Sequence, residues 1–195
     1  MRGVLATALA VAAGTAAVWY GTNGLLAFTT EGARRLAVAR APRALPDVGL
    51  EDQDGHPFAL TDLRGRVVLV DFIYTSCPSV CVRLGETFRA VHARLLPGVA
   101  LVSISFDLEH DTPERLAGYG RLHGADGRLW RIARPASAEG AAELLRAFGV
   151  KVIPDGRGGF VHNAAVHLVD ARGRLAAILD YDDPQGVLER VTTAR

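Results

Sequence analysis

Two predominantly apolar runs, at 67–73 and 99–106, are the clearest pattern in the chain. Such runs are typical of parallel strands that are buried on both faces of a sheet. Between them, residues 78–96 carry an apolar stripe at helical spacing, formed by Leu84, Phe88, Val91 and Leu95. The pattern predicts a β-α-β unit with a right-handed crossover.

Shorter elements are predicted around this unit. Asp54-Gly55 is a hairpin signal between two extended pieces. A helix is predicted to open at the start signature Asp111-Thr-Pro-Glu114 and to run to about His123. The other predicted elements are a strand at 129–133, a helix at 138–148, a mobile glycine-rich loop at 155–159, an antiparallel hairpin at 166–169 and 174–179, and a C-terminal helix from Pro184. A β-α-β unit followed by β-β-α predicts an α/β chain with a thioredoxin-like fold, in which helices flank a central mixed β-sheet.

The N-terminal segment is apolar enough to cross a membrane. Residues 3–30 carry no charge, and residues 4–20 are mostly Ala, Val and Leu; about 20 such residues span a bilayer core. We expect residues 1–30 to be a transmembrane anchor, with a cleaved signal segment as the alternative. Residues 31–46, rich in Ala and Arg, are then expected to be a linker, and residues 47–195 the thioredoxin-like domain. Either alternative exports that domain to an oxidising compartment, the periplasmic side of the inner (cytoplasmic) membrane.

Composition narrows the classes of function. The chain is 49% hydrophobic, which is ample for one core, and its net charge is +1. Apart from Lys151 the basic residues are arginines, and they are scattered, with no basic stripe interleaved with aromatic residues. Nucleic-acid binding is therefore disfavoured.

The cysteines are the most informative residues. The chain has two, Cys77 and Cys81, directly after the first apolar run. With Pro78 as the first helical residue, both would lie one turn apart at a helix N-terminus, where the helix dipole favours thiolates. Both sulfurs should then be reactive or able to bind metal. The alternatives are a structural Cys77–Cys81 disulfide, which would close too short a loop to stabilise the chain much, or two buried apolar side chains.

Three segments carry a resemblance to a known family. Asp71-Phe-Ile-Tyr-Thr-Ser-Cys-Pro-Ser-Val-Cys81 resembles the Cys-x-x-x-Cys motif of the Sco/SenC copper proteins. Ser105-Phe-Asp107 with Asp111-Thr-Pro-Glu114 resembles its second signature, and Val161-His162-Asn163 matches the position of its metal-binding histidine. The resemblance implies a thioredoxin-like fold, a membrane tether, copper bound by Cys77, Cys81 and His162, and a role in building the copper centre of cytochrome c oxidase.

The donor types agree with copper. Two thiolates and an imidazole suit Cu(I), and with a fourth ligand also Cu(II), whereas a structural zinc site wants four protein ligands. Asp107, at the end of the second buried strand, is a candidate for a residue that contacts the metal ligands without binding the metal itself. The family commonly has Asp and Ser beside its histidine, where this chain has Val161 and Asn163.

Two functions remain open at this point, and the chain is not clearly an enzyme. The first is a copper metallochaperone whose partner is the copper-binding subunit of cytochrome c oxidase. The second is a thiol-disulfide oxidoreductase that reduces partner cysteines through Cys77 and Cys81. Three residues between the cysteines, and Ala164 where such an oxidoreductase would have a cis-proline, favour metal. A copper or redox sensor is a third possibility.

The remaining aromatic and histidine residues near the motifs are expected to be structural. Tyr74 and Phe72 should lie in the core, and His167 should face away from His162. His56, His92 and His123 are expected to be solvated, and His110 could approach the site from the loop after Asp107.

Overall fold

The computed structural model describes residues 2–194 and divides the chain into two compact units, with the boundary after Ala41. The first unit holds two helices, α1 (Arg2–Gly21) and α2 (Thr30–Arg40). By length and composition α1 could cross a membrane, with a mean hydropathy of 1.6 and none of its residues buried, features that a signal sequence shares. Helix α2 occupies much of the predicted linker and begins where the Thr29 hydroxyl accepts the N–H of Gly32.

The second unit is built on an eight-stranded mixed sheet. Its strands are β1 (Arg43–Ala44), β2 (Gly49–Asp52), β3 (Pro57–Ala59), β4 (Val67–Ile73), β5 (Val99–Ser105), β6 (Trp130–Pro135), β9 (Val166–Val169) and β10 (Arg174–Leu179), in the spatial order β1-β10-β9-β4-β5-β6-β2-β3. Strands β4, β5 and β6 are parallel, and the other pairs are antiparallel. Because β1 pairs with β10, part of the predicted linker belongs to this unit.

Helices cover both faces of the sheet. They are α3 (Val80–His92), α4 (Pro113–His123), α5 (Ala138–Phe148) and α6 (Pro184–Thr193). The core on one face joins the apolar residues of α3, α4 and α6 to Leu69 and Ile73 of β4. On the other face Phe148 of α5 packs edge-on against Phe72, with ring centroids 5.1 Å apart. This mixed sheet between helices confirms the predicted thioredoxin-like fold.

A separate hairpin stands outside the main sheet. Among the residues that the structure describes, strands β7 (Val152–Pro154) and β8 (Phe160–His162) pair only with each other, with Val152 opposite His162 and Pro154 opposite Phe160. The sequence pattern predicts only a loop at 155–159, which is the turn of this hairpin. Strands of three residues are too short to give a period-2 signal.

Candidate metal centre

The cysteine segment lies at the carboxyl end of β4. The N–H of Cys77 donates to the carbonyl of Tyr74 at 3.2 Å, and the N–H of Cys81 donates to Sγ of Cys77 at 3.4 Å. Both cysteines are buried free thiols, with 6% and 1% of their surface exposed. The structure therefore brings the two sulfur-bearing residues together, and their disulfide stays a prediction for the oxidised chain.

Helix α3 begins two positions later than predicted. It starts at Val80, so Cys81 lies in its first turn but Cys77 and Pro78 precede it. Ser79, the residue before the helix, makes no side-chain cap bond, and the first N–H groups of a helix lack partners within the helix. The Cys77 sulfur accepts one of them, which is the role that a capping side chain usually has.

The two thiols differ in acidity. Burial raises the pKa of Cys77, but N–H groups of Cys81 and Ser79 outweigh it, together with the Cys81 and Tyr74 side chains, so the net pKa is lowered. Burial, reinforced by the charge on Cys77, raises the pKa of Cys81 far above its usual range. The prediction of two thiolates is therefore wrong for Cys81, which is too deeply buried to ionise alone.

His162 ends strand β8 with its imidazole turned inward. Both ring nitrogens are buried and have no hydrogen-bond partner, and burial lowers the pKa of His162 to about 4. Buried polar atoms nearly always have partners, so an imidazole with neither nitrogen satisfied is an exception that needs a reason. A neutral imidazole with a free lone pair is the form that binds metal, and this histidine fits a copper ligand.

An aromatic cluster joins the histidine to the cysteine segment. Phe106, which follows β5, packs edge-on against His162, with ring centroids 5.3 Å apart. Phe106 also contacts Phe160 and Tyr74, at 5.5 and 5.6 Å, and Tyr74 contacts Phe160 at 5.3 Å. We call Tyr74, Phe106, Phe160 and His162 the aromatic cluster.

The three predicted ligands are not yet in coordination geometry. Within residues 2–194, the one group of three potential ligands whose atoms all lie within 4.8 Å of one another is Asp52, Asp54 and His56. That group is the hairpin turn predicted at Asp54-Gly55, where Oδ1 of Asp52 accepts the N–H groups of Asp54 and His56. Cys77, Cys81 and His162 must therefore approach one another to hold an ion.

Asp107 is buried, as its candidate role requires, but its carboxylate is engaged by His110. The two oxygens lie 2.9 and 3.1 Å from Nδ1 of His110, and the hydrogen bond that the imidazole donates to Asp107 raises the pKa of that exposed histidine. His110 thus approaches Asp107, and a contact of Asp107 with the metal ligands stays a prediction.

Asp111 has a structural role that its sequence motif does not predict. The motif suggested the start of a helix, but Thr112 is the N-cap of α4, and Asp111 is fully buried. Its carboxylate accepts the N–H of Thr75 at 2.8 Å and the hydroxyls of Thr75 and Ser105. Asp111 therefore ties the segment before Cys77 to the end of β5 that precedes Asp107.

Asn163, where the family commonly has Ser, fixes the base of the hairpin. Its side-chain oxygen accepts the N–H of Lys151 at 2.7 Å, and its amide donates to the carbonyl of Gly149 at 3.1 Å. The two ends of the hairpin are thus joined next to His162.

A carboxyl group lies in the core near Cys81. Asp71, between Leu69 and Ile73 on the α3 side of β4, is fully buried, and neither of its oxygens has a hydrogen-bond partner of good geometry. Burial raises the pKa of Asp71 to about 7, against a smaller opposing effect of the Ser103 hydroxyl. Its charge in turn contributes to the raised pKa of Cys81.

His123 is buried, so the prediction that it is solvated is wrong. Its ring packs on Tyr119, with centroids 4.4 Å apart, and fills the space over Gly85 of α3. The Tyr119 hydroxyl donates to the carbonyl of Cys81 at 2.8 Å. His123 and Tyr119 thus brace the first turns of α3 from α4.

The other histidines are structural. His167 is buried in the core on the α5 side, with Nδ1 3.3 Å from the carbonyl of Val70 and its ring 5.3 Å from Phe148. His56 is exposed, as predicted, whereas His92 is half-buried beside Trp130.

Comparisons with known proteins point to one family. The SCO1/SenC family model matches residues 40–194. A Stutzerimonas stutzeri protein described as copper-binding is 29% identical over 161 residues, which are 76% of this chain and 77% of that protein. Bradyrhizobium japonicum ScoI with copper bound superimposes with a TM-score of 0.63 at 24% identity, over 78% of this chain and 99% of that one.

A second solved structure of a Sco protein is described by its disulfide switch. BsSco, a member of the Sco family of cytochrome c oxidase assembly proteins with a disulfide switch, gives a TM-score of 0.66 at 22% identity, over 79% of this chain and 94% of that one. With the match of the family model over nearly the whole second unit, the chain belongs to the SCO1/SenC family.

Proposed function

We propose that this chain binds a copper ion through Cys77, Cys81 and His162 and passes it to the copper-binding subunit of a cytochrome c oxidase. The observation that carries the proposal is His162, whose two buried ring nitrogens have no partner and whose ring packs on Phe106, which in turn contacts Tyr74 of the cysteine segment. Family membership supports it, because the copper-bound relative and the oxidase-assembly relative share this fold.

The donor set suits transfer of copper as cargo. Cys77, whose pKa is lowered, is the thiol that gives up its proton more readily to an incoming ion, and Cys81 lies beside it. His162 belongs to a hairpin that is not part of the main sheet. Movement of a small hairpin costs less than movement of a core strand, so His162 can close on the ion and release it to incoming thiolates.

We further propose that α1 anchors the chain in the cytoplasmic membrane, with the second unit on the periplasmic side. A helix of 20 residues whose charged residue, Arg2, stands at its N-terminal end fits that orientation. The oxidase subunit that receives copper would then lie in the same membrane.

Replacement of the histidine tests the ligand set. His162→Ala should lower copper affinity by more than about 100-fold, since loss of an outer partner alone costs about 10–100-fold. The measurement is titration of the reduced chain with Cu(I) in competition with a chelator of known affinity. His56→Ala, which removes an exposed imidazole, is the matched control and should bind copper as wild type does. Unchanged affinity in His162→Ala would refute the assignment.

A dithiol reductase is the second candidate function. Cys77 has the lowered pKa of an attacking thiol, and Cys81 adjoins it as a resolving thiol. Reduction of a model disulfide should be abolished by Cys77→Ser and kept by His162→Ala. If His162→Ala loses copper but retains full reductase activity, the two functions are separable on this one site.

A further inference from the structure

Tyr74 is placed to act on both halves of the proposed ligand set. It directly follows β4, is only 4% exposed, and its carbonyl accepts the N–H of Cys77 at 3.2 Å. Its side chain reaches the hairpin that carries His162 and also interacts with the Cys77 side chain, whose pKa it helps to lower. The cysteine segment and the histidine hairpin therefore meet at this one residue.

The Tyr74 hydroxyl makes two hydrogen bonds to the backbone of the hairpin. The N–H of Phe160 donates to it at 3.3 Å, and it donates to the carbonyl of Phe160 at 3.2 Å. A hydroxyl can do both at once. In the ladder of the hairpin Asp155 and Gly159 form a hydrogen-bonded pair, so the next pair, Pro154 and Phe160, is not hydrogen-bonded. The N–H and carbonyl of Phe160 therefore point away from β7, towards the tyrosine.

Neighbouring residues allow this close approach. Gly159 has no side chain, and a Cβ built there would lie 3.3 Å from the Tyr74 hydroxyl oxygen. That distance is tighter than an ordinary van der Waals contact, so a larger residue would press on the hydroxyl. The turn of the hairpin thus leaves room for the tyrosine.

Fixing Phe160 also fixes His162. The two residues are two positions apart on β8, so their side chains share a face, and both contact the ring of Phe106. The hairpin pairs with no strand of the main sheet, so it depends on such contacts for its position.

We infer that Tyr74 is a positioning residue, whose hydroxyl holds the β7–β8 hairpin against the cysteine segment and so sets where His162 meets the ion. The inference rests on the proposed copper function for its consequence, but the contact itself exists without metal. Its loss should free the hairpin while leaving all three ligands in the chain.

The test compares Tyr74→Phe with wild type and with Tyr181→Phe, a matched loss of a hydroxyl in the segment before α6, all as full chains in detergent. In the copper-free chain, hydrogen exchange at the Phe160 amide should be about tenfold faster in Tyr74→Phe only, because its hydrogen-bond acceptor is gone. With copper, stoichiometry should be unchanged, the chain should release copper to a chelator about tenfold faster, and the Cu(II) electron paramagnetic resonance spectrum should broaden or shift.

Each outcome decides a separate point. Wild-type exchange at Phe160 in Tyr74→Phe overturns the inference, whatever copper does. A lower melting temperature with unchanged copper release and spectrum also overturns it, because the hydroxyl would then be merely structural. If wild type binds no copper, the proposed function fails, while the exchange comparison still decides whether the hydroxyl holds the hairpin.

Discussion

Replacing Asp71 with Asn should raise the free energy of unfolding of the second unit, relative to that of wild type, by about 4 kcal/mol as the pH rises from 4 to 8. Burial raises the pKa of Asp71 from its ordinary value of 3.8 to about 7. Between these values the unfolded chain has released the proton while the folded chain keeps it, so the free energy of unfolding of wild type falls with rising pH. At about 1.4 kcal/mol per pH unit, the loss amounts to about 4 kcal/mol.

The comparison between variants is essential because other groups titrate in the same range. Burial lowers the pKa values of His162 and His123, which makes stability rise with pH and opposes the effect of Asp71. These contributions are common to wild type and Asp71→Asn, so they cancel in the difference. The buried amide of Asn has its own cost, but that cost does not depend on pH.

The measurement is urea unfolding of residues 42–195 at a series of pH values, with reductant and chelator present. Asp170→Asn is a control of opposite sign. Although partial burial opposes it, hydrogen bonds from Arg174 and Arg172 lower the pKa of Asp170, so its loss should destabilise more at neutral than at acid pH. If the difference in free energy of unfolding between Asp71→Asn and wild type does not vary with pH, the raised pKa of the buried Asp71 carboxyl is contradicted.

Gly85→Ala should destabilise the same unit by about 3 kcal/mol. A Cβ at position 85 would overlap the imidazole of His123, far inside van der Waals contact. His123 is buried between α4 and α3 and cannot turn into solvent without opening the contact of Tyr119 with Cys81. Overpacking of this kind typically costs about 1–3 kcal/mol, and a rigid ring puts this site at the upper end.

Two variants sharpen this second measurement. Gly118→Ala adds the same methyl group to α4, where the nearest atom is 3.8 Å away on the flexible Arg121 side chain, and should stabilise by about 0.5–1 kcal/mol. The double variant Gly85→Ala with His123→Ala should lose much less stability than the sum of the two single changes. Removal of the imidazole leaves a space beside position 85, and the methyl group added at that position partly fills it. Additive losses, measured by the same urea unfolding, would contradict the packing described.

Much of the fold could be predicted from local pattern. The two apolar runs became β4 and β5 because strands buried on both faces leave a continuous signal. The predicted helix at 138–148 matches Ala138–Phe148, which lies between the N-cap Ser137 and Gly149 in the left-handed conformation, with φ of 70°. This helix was predicted to the residue, whereas the helix predicted at 78–96 is α3, which begins at Val80 and ends at His92.

The parts that were missed depend on distant contacts. Hairpin β7–β8 is held by contacts of Phe160 with Tyr74 and Phe106, both of which lie more than 50 residues before Phe160 in the chain. Its strands are too short to produce a recognisable sequence pattern. The start of α3 shifted because a cysteine sulfur, which no capping rule includes, accepts the N–H of Cys81.

Within the site, residue types were predictable and their environments were not. The cysteine pair and His162 could be named as ligands from their chemistry, but the unequal acidity of the thiols follows from how deeply each is buried. The buried position of His123 had a signal that was not used: Gly85 lies inside the predicted helix, where a glycine often marks a close approach.

The base of the β7–β8 hairpin also gives the chain a natural labelling position. Lys151 is the sole lysine of the sequence and is exposed, and its backbone N–H is bonded to Asn163. It directly precedes Val152, the register partner of His162. Apart from the α-amino terminus, an amine-reactive probe would therefore attach at this one residue, and would follow the motion of the histidine hairpin without any engineered cysteine that could compete for the metal.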